Sequence, residues 1–101
     1  MILRLIIFTG FTWFACMTMS ALPSPTKDDL VHAPREATIE SLVHGRKLYI
    51  AKCGGCHRLY APRERAQAEW TEIVHRMQKI FPLSENESRL ISQYLVTFGR
   101  R

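Results

Sequence analysis

Two cysteines and a histidine stand together in the middle of the chain, in the run Cys53-Gly54-Gly55-Cys56-His57. Two thiols at this spacing can form a disulfide, act as a redox dithiol or supply half of a zinc site. A histidine directly after the second thiol adds a third chemistry, covalent attachment of c-type haem. There the thiols add to the two haem vinyl groups and the histidine becomes an axial ligand of the iron. The two glycines leave no side chain to obstruct the macrocycle.

The other two chemistries need features that this sequence lacks. A thioredoxin-like dithiol belongs to a βαβ pattern, and no stretch of the chain has strand periodicity. A structural zinc ion takes four ligands, so Cys53, Cys56 and His57 would need His44 or His75 as the fourth. Adjacent cysteine and histidine ligands are also awkward within one tetrahedron. The sequence therefore favours one covalently bound haem c and its iron, with zinc and dithiol chemistry as the alternatives.

The second axial ligand decides whether such an iron is an electron carrier or an open site. Met77 is the only methionine beyond residue 19, and it shares a predicted helix face with Trp70. It is the candidate ligand, the alternative being an ordinary core methionine. His75 is two residues away and points away from that face. His44 and His32 are the other competitors, so bis-histidine ligation and an open iron stay as alternatives.

The N-terminus has the composition of an export signal. Arg4 precedes a stretch from Leu5 to Thr26 that has no charged residue and whose first half is largely apolar. One positive charge, an apolar run and small residues at its end are typical of a secretory signal, here with cleavage after Ala21. The alternatives are an uncleaved anchor, since the uncharged span is long enough to cross a bilayer, and lipid attachment at Cys16. All three predict a periplasmic or otherwise exported protein, with membrane association through the N-terminus in two of them.

Length and charge limit the function further. Removing residues 1–21 from 101 leaves 80, which allows one small domain and excludes a large enzyme with its own substrate domain. The chain has 14 Lys and Arg against 9 Asp and Glu, a net charge of +5, and loss of Arg4 leaves +4. No dense basic run or basic stripe with aromatics is present, so nucleic-acid binding is not predicted. A bound haem would add apolar core to a domain of marginal size.

The chain divides into a predicted signal at residues 1–21, a proline-containing tether at 22–40 and a haem domain at 41–101. Apolar residues at three- and four-residue spacing predict an all-α domain. The helices are expected from about Thr38 or Ser41 to Lys52, from about Ala66 to Phe81, and from about Glu85 to Phe98. Pro82 ends the second helix, and Ser84 with Glu87 forms a capping box for the third. Gly45 within the first helix predicts close approach of another helix.

The pattern Gly45-x-x-Leu48-Tyr49-x-x-x-Cys53-x-x-Cys56-His57, followed by Met77 and Tyr94-Leu95, resembles a small monohaem cytochrome c over about residues 41–98. The resemblance implies three or more helices wrapped around one covalently bound haem, with Gly45 and Tyr49 crossing the last helix. It implies one-electron transfer between redox partner proteins and no catalysis by the chain itself. Cys53 and Cys56 would anchor the haem, and His57 and Met77 would ligate its iron. The alternatives are a catalytic or gas-binding haem protein with an open sixth site, and an electron-entry subunit of a larger dehydrogenase or oxidase.

Residues that follow the motif give weaker signals. Arg58, Arg63 and Arg65 either pair with the haem propionates, form a rim that faces a partner, or belong to a solvated loop. The backbone carbonyl near Pro62 either accepts the second N–H of the ligand histidine or belongs to an ordinary turn. Trp70 packs either on the porphyrin or on other helices.

Overall fold

A computed structural model of the chain describes residues 22–54 and 58–101. The predicted signal, Cys16, and Gly55, Cys56 and His57 of the motif lie outside the described residues. Within them the chain forms helices α1 (Ile39–Cys53), α2 (Gln67–Ile80) and α3 (Glu85–Phe98), and two short 3₁₀ helices, Lys27–His32 and Pro62–Glu64. No strand occurs in this part of the chain. The all-α prediction is confirmed.

The helix ends follow from local capping chemistry. The Thr38 hydroxyl accepts a hydrogen bond from the Ser41 amide at 3.1 Å, and the Ser84 hydroxyl accepts one from the Glu87 amide at 3.0 Å. These bonds satisfy amides that the first helical turn leaves without partners. At α2 the amide of Gln67 donates instead to a distant carbonyl at 2.9 Å, that of Arg100. The predicted helix bounds are confirmed to within one residue, except that the alternative start of the first helix at Ser41 is two residues late.

Helix α3 is the central element, because α1 and α2 both pack against it. The apolar core is formed mainly by its inner face and the facing residues of the other two helices. These buried residues are Leu42, Tyr49, Trp70, Val74, Leu90, Ile91, Tyr94 and Leu95. Gly45 is buried where α1 meets α3 and lies against the backbone of Leu90. The close helix approach that this glycine predicts is confirmed.

The segment before α1 packs on the helices, although its prolines predict an extended tether. The side chain of Leu22 is 7% exposed and belongs to the core. The Arg46 guanidinium donates to the Leu22 carbonyl at 3.1 and 3.2 Å, and the Tyr94 hydroxyl donates to the Pro23 carbonyl at 2.8 Å. The 3₁₀ helix Lys27–His32 then lies against α3. Periodicity does not reveal these contacts because they use backbone carbonyls. In residues 22–54 and 58–101, every helix is too short or too polar to span a bilayer.

Candidate functional site

The attachment motif begins at the last residue of α1. Cys53 is half-buried there, and Gly54 caps the helix. Tyr49, four residues earlier, is buried at 4% exposure. Since residues four apart lie on the same helix face, Cys53 follows Tyr49 on the side of α1 that faces the core.

Cys53 borders an almost wholly apolar cavity of about 130 Å³ between the three helices and the chain that follows the motif. Its walls are Tyr49, Cys53, Leu59, Tyr60, Trp70, Ile73, Val74, Met77, Leu83, Ile91 and Leu95. The cavity brings together two of the predicted site residues, Cys53 and Met77, which come from different helices. Met77 is half-buried in α2 and lines the cavity wall.

A larger open groove of about 510 Å³ adjoins the cavity. The two share Tyr60, Trp70, Ile73 and Met77. The groove also carries two cations, two carboxylates and one apolar side chain, namely Arg65, Arg76, Glu69, Glu72 and Ile80. Ile80, the last residue of α2, fits the apolar spacing of the buried helix face but is 71% exposed and lines the open groove.

Two buried aromatic side chains hold the chain that follows the motif. The Tyr49 hydroxyl donates to the Tyr60 carbonyl at 2.7 Å, and the Trp70 indole N–H donates to the Pro62 carbonyl at 2.6 Å. The rings of Tyr49 and Trp70 meet edge to face, with centroids 6.5 Å apart. Trp70 therefore packs on another helix and on the loop. In the turn at Pro62, where the sequence suggests either a carbonyl partner for the ligand histidine or an ordinary turn, the Pro62 carbonyl accepts this indole N–H.

Burial also changes the acidity of the tyrosines around the core. Desolvation raises the pKa of Tyr49, and an electrostatic interaction with the neighbouring Cys53 side chain raises it further. Burial raises the pKa of Tyr94 to about 12, although Arg46 partly offsets this. Both hydroxyls therefore stay protonated and act as hydrogen-bond donors at neutral pH.

The three candidate arginines occupy different positions. Arg58 pairs with Glu64 at 2.9 Å and stacks over the Tyr60 ring at 4.7 Å. This pairing and the Ala61 amide hold the pKa of the Glu64 carboxyl below its usual range. Arg65 lines the groove, whereas Arg63 lines a separate depression beside the end of α3. Of the three, Arg65 is the one that adjoins the cavity through the shared groove.

The competing histidines lie away from the cavity. His75 and His44 are exposed. His32 is half-buried, and its carbonyl accepts a bond from Gln67 at 3.4 Å. Within the described ranges, no three or more His, Cys, Asp or Glu side chains come together as a metal site.

Some features of this site escape sequence reasoning. Leu59 and Leu83 line the cavity from loops, where no periodicity marks them. Arg76 precedes Met77 and lines the groove, but its position has no motif. Tyr49 is recognisable as a helix-crossing residue, whereas its bond to the Tyr60 carbonyl depends on the folded loop.

The walls fit an apolar macrocycle in chemical type. A tetrapyrrole is larger than the cavity alone, but the neighbouring groove shares Trp70 and Met77 with it as lining residues and adds charged side chains. Comparison of the chain with protein-family models, with curated proteins and with solved structures found no match.

Proposed function

We propose that the chain is an exported monohaem c-type cytochrome that transfers single electrons between redox partner proteins. The observation that carries this proposal is the shared cavity. Cys53 opens the attachment motif, and Met77 is the only methionine beyond residue 19, yet both line the same apolar space. The close contact between Gly45 of α1 and helix α3 also supports the proposal, because the resemblance to monohaem cytochromes c implies a helix crossing at this glycine.

In this proposal Cys53 and Cys56 anchor haem c through thioethers, while His57 and Met77 ligate its iron. Bound haem supplies an iron that alternates between the ferrous and ferric states. If His57 and Met77 both ligate the iron, no position would be left for a substrate, so the protein would act as a carrier and would make or break no substrate bond. Because attachment takes place outside the cytoplasm, the export signal predicted at residues 1–21 is a necessary companion of the motif.

The remaining wall residues give the proposed haem pocket an apolar lining. Val74, Ile91 and Leu95 are buried and line the cavity beside Met77. An apolar shell limits solvent access and thereby tunes the potential of an enclosed metal. At the groove, Arg65 and Arg76 supply guanidinium groups suited to the carboxylates of a haem edge.

The decisive experiment is expression with haem-attachment machinery, followed by visible spectra of the oxidised and reduced protein. We expect sharp reduced bands, haem that stays with the protein during acid-solvent extraction, and a weak far-red methionine-to-iron band when oxidised. The control is the double variant Cys53→Ala, Cys56→Ala, which should lose haem on extraction. A high-spin spectrum that shifts with carbon monoxide would indicate the open-site alternative. A wild-type protein that takes up no haem would overturn the proposal and return the motif to zinc or disulfide chemistry.

A further inference from the structure

We propose that Tyr49 and Trp70 are positioning residues that close the chain around the attachment motif and hold its C-terminal flank, residues 58–62, against the cavity. The inference rests on the proposed function for its purpose, the presentation of the motif to haem. The bonds that carry it are made entirely by the described residues.

The Tyr49 bond spans the motif. Its hydroxyl donor belongs to α1, four residues before Cys53, and its acceptor is the carbonyl of Tyr60, three residues after His57. The partners are 11 residues apart, so this one bond joins the two flanks of the motif. The flank that contains Cys53 is helical and fixed, and the bond extends that fixation to the flank beyond His57.

The Trp70 bond holds the same flank from another helix. Trp70 is 3% exposed, and its indole N–H donates to the carbonyl of Pro62, a residue that is itself fully buried. The acceptors at Tyr60 and Pro62 are two residues apart, while their donors come from α1 and α2. Segment 58–62 is therefore held at two points.

Because Tyr49 and Trp70 are buried, their hydrogen-bond donors depend on the carbonyl acceptors of segment 58–62. A buried hydroxyl or indole N–H without an acceptor loses its hydration and gains nothing in exchange. The ring of Tyr49 is held by Trp70 at 6.5 Å and by Tyr94 at 6.4 Å, so the donor has a defined direction. A displaced flank would leave both donors unsatisfied. The hydrogen bonds of Tyr49 and Trp70 therefore favour a single position of segment 58–62 relative to the helices.

The test compares Tyr49→Phe with a matched control, Tyr94→Phe. Both tyrosines are buried, and both hydroxyls donate to a backbone carbonyl, at 2.7 and 2.8 Å. They differ in the segment that they hold, since the Tyr94 hydroxyl binds Pro23. Amide hydrogen exchange of the full chain is measured by mass spectrometry on peptides covering residues 58–64 and 22–26.

We expect Tyr49→Phe to accelerate exchange in 58–64 roughly tenfold, which corresponds to about 1.4 kcal/mol, and to leave 22–26 unchanged. Tyr94→Phe should show the reverse pattern. Trp70→Phe should also accelerate 58–64. In haem-loaded protein, Tyr49→Phe should lower the reduction potential, whereas Tyr94→Phe should not.

Equal acceleration of both peptides by both tyrosine variants would show a general stabilising role and overturn the inference, as would no change in 58–64. If the wild-type chain takes up no haem, the proposed function fails, but the exchange pattern still decides whether Tyr49 and Trp70 hold the segment. If haem is attached and the potential of Tyr49→Phe equals that of Tyr94→Phe, the positioning role toward haem is overturned.

Discussion

Gly45 of α1 lies directly against the backbone carbonyl group of Leu90 on α3. A Cβ at position 45 would stand 2.8 Å from the Leu90 carbonyl carbon and 3.1 Å from the Cβ of Tyr94. The hydrogen of glycine therefore sets how closely the two helices pack. This contact aligns Tyr49, one turn further along α1, with the core and the cavity.

Replacing Gly45 with alanine should destabilise the protein. In a helix interior alanine is more stable than glycine by about 1 kcal/mol. At this position, however, its methyl group would push α1 away from backbone atoms of α3 that cannot rotate aside. We expect a net loss of about 1–3 kcal/mol in the free energy of unfolding, as for other overpacked contacts. Urea denaturation measures it, with Lys47→Ala at an exposed site of the same helix as control. An equal or higher stability for Gly45→Ala would contradict the packing argument.

Replacing Met77 with leucine should leave the haem attached but remove an axial ligand. The side-chain volume is nearly conserved, so the loss of stability should stay below about 1.5 kcal/mol. The far-red band of the oxidised protein should disappear, the reduction potential should fall, and carbon monoxide should bind the reduced protein. His75→Gln, two residues away on the exposed side of α2, is the control and should change none of these. A retained far-red band in Met77→Leu would exclude Met77 as the ligand.

The buried tyrosines predict a loss of stability at alkaline pH. The pKa of Tyr94 rises from its ordinary value of 10.0 to about 12 in the folded protein. The unfolded chain therefore releases this proton first, so the contribution of Tyr94 to the free energy of unfolding should be constant below pH 10 and fall as the pH rises from 10 toward 12. Tyr49, whose pKa is also raised, adds to the decline. Thermal unfolding between pH 8 and 12 should show a shallower decline for Tyr94→Phe than for wild type; parallel curves would refute the assignment.

Gln93 is a site where a polar side chain lowers stability. It is 3% exposed, and within the described part of the chain neither side-chain amide atom has a hydrogen-bond partner. Gln93→Leu should raise the free energy of unfolding by about 1 kcal/mol, because it removes two unpaired buried groups. Thr97→Val is the comparison, since the Thr97 hydroxyl donates to the Gln93 backbone carbonyl at 2.6 Å and its loss should lower stability. Urea denaturation of both variants measures the difference, and a less stable Gln93→Leu would count against this account.

The helices could be predicted from sequence because their signals are local. Thr38 and Ser84 cap helices that begin close to their predicted starts, and Pro82 directly follows the C-cap of α2. Gly45 is also informative by itself, because glycine destabilises a helix interior and its presence there indicates close contact with another element. Each of these signals depends on residues within a few positions of one another.

The contacts between distant segments could not be predicted in the same way. The bonds from Tyr49 to Tyr60 and from Trp70 to Pro62 end on backbone carbonyls, which every residue has, so no residue type marks the acceptor. Ile80 fits the helical periodicity but is exposed, because periodicity does not say where the facing helix ends. Residue type marks Cys53 and Met77 as candidate site residues. That both line one cavity depends on how the helices pack, which residue type does not reveal.

The docked position of Leu22 restricts access to the peptide bond that precedes it. A processing protease binds the residues around its scissile bond in an extended form, but Leu22 is buried and the carbonyls of Leu22 and Pro23 are both engaged. If the chain is exported and cleaved after Ala21, as its sequence predicts, the cut must therefore come before this end of the chain docks. In that case the burial of one leucine would set the order of processing and folding.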